Sequence, residues 1–141
     1  MTRPSKLFSA AIALCTIACF TMSSVPSQAA PKKTAITINS EYDFGSYPFP
    51  GTFYTHGALE IEGTVTMEVD FNANSTRAHC LYTFVAPGGT FIIREECVFA
   101  TPLQGQGRWE IVSGTGAYAN LKGNGSALMP GNQENWVGFI R

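Results

Sequence analysis

Residues 59–71 alternate without a break. Leu59, Ile61, Val65, Met67, Val69 and Phe71 fall on one side, and Glu60, Glu62, Thr64, Thr66, Glu68 and Asp70 on the other. Period-two alternation places successive side chains on opposite faces of a strand, so this stretch predicts a half-buried strand, or a tight strand pair bending near Gly63. The acidic row reads as a solvated face. Further strands are predicted at residues 34–39, 42–47, 52–58, 108–112, 125–129 and 135–141, separated by Gly, Pro and Asn turn signals. Helical periodicity is almost absent. Seven or eight short strands suggest a sandwich or a small closed barrel, and we expect one all-β domain.

The stretch "CLYTFVAPGGTFIIREEC", residues 80–97, reads as a hairpin of aromatic and β-branched strands around Pro87, Gly88 and Gly89. With Gly88 and Gly89 at the turn centre, Cys80 falls directly opposite Cys97 and Tyr82 directly opposite Glu95. One face then carries Cys80, Tyr82, Phe84 and Ala86 with Phe91, Ile93, Glu95, Cys97 and Phe99. It is the more apolar face and should point inward. Cys80 and Cys97 are expected to form a cross-strand disulfide closing a loop of about 17 residues, a bridge that stabilises by ~3 kcal/mol.

The amino terminus bears on where this happens. Arg3 and Lys6 precede a mostly apolar run over residues 7–22, and Ser27 and Ala29 have the spacing that signal peptidase accepts. Residues 1–29 are read as a signal peptide and 30–141 as the barrel domain, secreted or periplasmic, where disulfides persist. The apolar run, broken by Ser9, Thr16 and Thr21, falls short of the ~20 residues of a membrane span. Thr16 stands where a lipoprotein cleavage box usually has leucine before Cys19.

Beyond residue 29, the nine Lys and Arg lose Arg3 and Lys6, leaving seven against ten Asp and Glu, a net charge of −3. Lys32 and Lys33 are the sole basic pair, so nucleic acid is disfavoured as a partner. His56 and His79 lack the paired spacing of zinc motifs, so no metal is expected, and no other cofactor. No G-x-S-x-G elbow supports a hydrolase. Trp109 and Trp136 read as packing residues.

"WEIVSGTGAYANLKGNG", residues 109–125, has the spacing G-x-G-x-x-A after a strand. A dinucleotide loop must open a helix in a βαβ unit, and here the chain reaches Gly123 and Gly125 after one possible turn. Gly114, Gly116 and Gly123 therefore read as structural turn positions, with Tyr118 and Leu121 plugging an apolar barrel end.

Together with the preceding "GRWEIVS", the segment "GTGAYANLKGNG" resembles the strand, turn and return strand of allene oxide cyclase and dirigent-like proteins, specifically a small bacterial secreted member of that barrel superfamily. The resemblance covers residues 107–125. It implies a single small antiparallel barrel of about eight strands, calycin-like, with a cavity for a hydrophobic small molecule, in which relatives steer reactive intermediates; no catalytic motif of the family is matched, and fold does not carry function with it.

Two functions remain. One is a binding module taking an apolar small molecule or an exported protein. The other is a cyclase-like or isomerase-like enzyme in which Glu95 and Tyr82 supply the chemistry, Glu95 as an acid or base raised in pKa by desolvation. Candidate ligand-binding residues are Tyr82, Phe84, Phe91, Ile93 and Phe99, with Tyr54 and His56 on a neighbouring strand. The oligomeric state is not specified by the sequence.

Overall fold

Eight strands pair in chain order, each antiparallel to the next, and β8 returns to β1 to close the barrel. The computed structural model describes residues 32–101 and 103–141; the expected export segment lies outside the described residues. The strands are β1 (Thr34–Tyr42), β2 (Phe49–Gly57), β3 (Glu62–Phe71), β4 (Arg77–Ala86), β5 (Gly89–Thr101), β6 (Gln104–Gly114), β7 (Gly123–Pro130) and β8 (Gln133–Ile140). Closure leaves no unpaired sheet edge along the described strands.

The alternation in residues 59–71 becomes β3. Val65 and Met67 are buried inside, while Glu62, Thr64, Glu68 and Asp70 face solvent. Leu59 and Ile61 precede the strand in the loop, packed against the core. A separate strand expected over residues 42–47 does not form: β1 runs on to Tyr42, and the chain then turns through residues 43–48 into β2.

The β4–β5 hairpin requires a correction of register. Ala86 pairs with Gly89, so the two-residue turn is Pro87-Gly88 and not Gly88-Gly89. The ring of Pro87 fixes its own φ for the first turn position, and Gly88, at φ +96°, supplies the positive φ needed at the second. The shift is two residues in the pairing sum. Side-chain parity is therefore kept, and the expected inner face is the observed one, but the partners change: Cys80 stands opposite Glu95, Ala78 opposite Cys97 and Tyr82 opposite Ile93. Neither Cys80–Cys97 nor Tyr82–Glu95 is a directly opposed pair.

A single 3₁₀ turn, Gly116–Tyr118, follows β6. Tyr118 swings beneath the barrel end, its ring 5.6 Å from that of Phe91 and its hydroxyl donating to the carbonyl of Pro87 at 2.7 Å. Glycine is required at two points of this crossing. A Cβ on Gly114 would lie 2.1 Å from the carbonyl oxygen of Tyr118, and one on Gly116, at φ +56°, 2.0 Å from that of Gly88.

The barrel's middle is filled by its own rings. Tyr82 and Trp136 meet edge to face at 4.5 Å, Phe84 and Phe91 stack at 4.7 Å, and Phe53 meets Phe84 at 4.9 Å. Aromatic contacts at these separations are the packing of a core.

Candidate functional site

Two carboxyl groups lie inside this apolar barrel. Glu95 of β5 and Glu134 of β8 are each 1% exposed. Strand parity puts them there: Glu95 shares its face with Ile93 and Cys97, and Glu134 shares its face with Trp136. Tyr82 donates to Glu134 Oε1 at 3.2 Å, and Tyr42 donates to Glu134 Oε2 at 3.3 Å. Glu134, Cys97 and Tyr82 are the side chains next to the Glu95 carboxyl group. Ser40 faces Glu134 directly across β1 and β8.

Burial pushes both carboxyl groups above the usual glutamate range; the charge of Glu95 raises Glu134 further, whereas the contact with Glu134 partly offsets the rise of Glu95. Tyr42 and Tyr82 are likewise held well above the ordinary phenol value, first by burial and then by the negative charge of Glu134. Among the described residues, no Lys, Arg or His belongs to the buried set, so the pair has no internal counter-ion.

Cys80 and Cys97 lie diagonally across β4 and β5 on this same inner face, with sulfur atoms 3.2 Å apart. The hydrogen bond with Cys80, and burial after it, push the Cys97 thiol up. Gly107 of β6 makes room for the acid pair, since a Cβ there would lie 2.0 Å from Glu95 Oε1.

Directly outside this wall is a groove of about 710 Å³ crossing β3 to β7. Its lining includes a row of small inward residues, Ala78, Cys97, Gly107 and Ala127, paired strand to strand. One residue along, the outward row is Asp70, His79, Glu96, Arg108 and Ser126, again in direct register. Val98 and Leu128 flank that row and are exposed. Acids and bases thus alternate along the groove beside apolar side chains.

The residues named from sequence divide between inside and outside. Tyr82, Phe84, Phe91, Ile93 and Phe99 all face inward and are buried in mutual contact. Tyr54 and His56 stand on the outer face instead, with rings 5.3 Å apart, and His56 pairs with Glu60 at 3.1 Å. Tyr82 and Glu95 do meet, but around a third residue, Glu134, which sequence reasoning missed. Parity with Trp136 is the signal that would have found it; beginning the last strand at residue 135 left Glu134 out.

Fold and site together define a closed eight-stranded antiparallel barrel with an acid pair sealed beneath an outer groove. No protein-family model, curated protein or solved structure matches the chain.

Proposed function

We propose that this chain is an exported binding module without catalysis of its own, and that the outer groove over β3 to β7 is its ligand seat. The observation that carries the reading is the filled interior: Tyr82, Phe84, Phe91 and Trp136 occupy the space an internal ligand would need. The groove offers an apolar wall at Val98 and Leu128 and polar anchors of both signs at Asp70, His79, Glu96 and Arg108. That combination suits a small molecule or protein segment with both apolar and polar parts. The cyclase-like alternative requires a substrate to touch Glu95 and Tyr82, which are 1% and 0% exposed. The eight-stranded barrel agrees with what the resemblance of residues 107–125 to allene oxide cyclase and dirigent-like proteins implies, and membership of that superfamily is part of this proposal.

Export belongs to the same reading. Cleavage after Ala29 would release the barrel into an oxidising compartment, where a disulfide oxidant takes two protons and two electrons from Cys80 and Cys97 to form the bridge. The diagonal placement of the two sulfurs supports that pairing.

Native mass spectrometry of the protein purified from its own source tests the ligand seat. A co-purifying mass that is lost in Arg108→Glu and retained in Tyr54→Ala supports the groove. A bound mass indifferent to Arg108→Glu, with amide shifts concentrated at Tyr82 and Trp136 on removal, would move the seat to the interior and overturn the reading.

A further inference from the structure

The barrel holds an unusual set of buried polar atoms at one level. Glu95 Oε2, Ser40 Oγ and Trp136 Nε1 are buried without a hydrogen-bond partner. A carboxylate cannot donate, but a carboxylic acid can. Placing a proton on Glu95 turns the orphaned oxygen into a donor, and the neighbouring Glu134 is an acceptor whose two oxygens already accept from Tyr82 and Tyr42. Two bare carboxylates in contact within a low-dielectric interior would repel strongly.

The groups facing the pair are these. β1 contributes Ser40 and Tyr42, β4 contributes Cys80 and Tyr82, and β5 adds Cys97. β8 adds Trp136, while β6 and β7 present Gly107, Trp109 and Ala127, none of them titratable. From β2 and β3 the inward residues are Phe53, Thr55, Val65 and Met67, again without a titratable group. No cation faces the carboxyl groups from any strand among the described residues.

We propose that Glu95 and Glu134 hold a shared proton inside the barrel and thereby make the fold proton-linked, tightest in acid and weaker as pH rises. The direction follows from proton counting. In the unfolded chain both glutamates ionise near the ordinary value of ~4.3, whereas the folded pair keeps its proton to higher pH. Between those limits the folded state binds more protons than the unfolded state, so stability falls with rising pH and levels off only once the folded pair has ionised. The pair titrates as a unit, and the retained proton belongs to both residues.

Urea unfolding of the mature protein, from about pH 4.5 to about pH 9, reads this directly. For each proton retained, the unfolding constant should rise by up to about tenfold per pH unit within the window. Glu95→Gln and Glu134→Gln should each flatten that rise relative to wild type. Exposed Glu60 lies outside the window: its pKa is lowered chiefly by the Gly57 backbone N–H, and the stability it contributes is lost only as pH falls below the usual glutamate range. A wild-type profile that does not fall, or one with the same slope in Glu95→Gln, would overturn the proposal. Should both variants fail to fold, the infrared spectrum of the wild type decides. A protonated-carboxyl band that persists at neutral pH and disappears as the pH is raised supports the shared proton, and its absence at neutral pH refutes it.

Discussion

The hydroxyl of Tyr82 reaches from β4 to Glu134 of β8 and donates to its Oε1 at 3.2 Å. The bond joins residues 52 positions apart through the middle of the barrel, and both ends are fully buried. Removing the hydroxyl leaves Glu134 short of one of its two phenolic donors in a place water does not reach. Tyr82→Phe should therefore destabilise by about 1–3 kcal/mol while preserving the ring contact with Trp136. Chemical denaturation would measure the loss, and the near-ultraviolet dichroism of Trp136 should be retained. A neutral substitution would mean that Glu134 does not depend on this donor.

Gly107 makes a separate prediction because it belongs to both the groove lining and the acid pair. A methyl group there would lie 2.0 Å from Glu95 Oε1 and 2.7 Å from the carbonyl oxygen of Glu96. The carboxyl group can move, but the backbone oxygen cannot without disturbing the β5–β6 ladder. Gly107→Ala should cost about 1–3 kcal/mol, in the range of overpacked cores. It should also shift the backbone amide resonances of Glu95 and Cys97 more than those of β1. Equal stability with unchanged spectra would show that the carboxyl group does not press on this strand.

Much of the architecture was legible because alternation and turn residues are local. The inner face of residues 80–97 was readable from parity alone, and β3 from its unbroken period of two. The hairpin register was not, since Pro87, Gly88 and Gly89 permit two turn centres. The choice rests on Gly89 being drawn into the strand, where a Cβ would lie 2.3 Å from the carbonyl oxygen of Thr115 in the crossing turn. That contact is distant in sequence. Glu95 could be nominated from its inward parity, but Glu134 required the start of β8, where Val137 and Phe139 put apolar side chains on the opposite face as well. The outer groove was illegible for the same reason: His79 meets Glu96 only in the true register, and Arg108 and Ser126 join them through strands whose pairing no local signal fixes.

Gly116 tests the glycine-rich turn. Its φ of +56° disfavours any side chain, and an added Cβ would meet the carbonyl oxygen of Gly88 at 2.0 Å. Gly116→Ala should destabilise by at least about 1 kcal/mol. The damage should centre on the barrel end closed by Tyr118, raising hydrogen exchange at Ala117 and Thr115, whose amides donate to Gly88 and Thr90. Uniform loss of protection across all eight strands would instead make this turn part of the cooperative core.

The last prediction concerns the redox state of Cys80 and Cys97. Their burial beside Glu95, and a thiol on Cys97 that is pushed up in pKa, would make even free thiols slow to react with alkylating reagents in the folded protein, because the thiolate is the reactive form. Labelling of native protein therefore cannot separate the two states. Labelling after unfolding without reductant can: the bridged protein should take up no reagent, and its mass should be two hydrogens below that of the reduced chain. Reduction should then lower stability by about 3 kcal/mol, the loop-closure value for a bridge spanning 17 positions. Two labelled cysteines in unreduced protein would show that the pair remains a dithiol, leaving Cys97 as a buried neighbour of Glu95 rather than one half of a staple between β4 and β5.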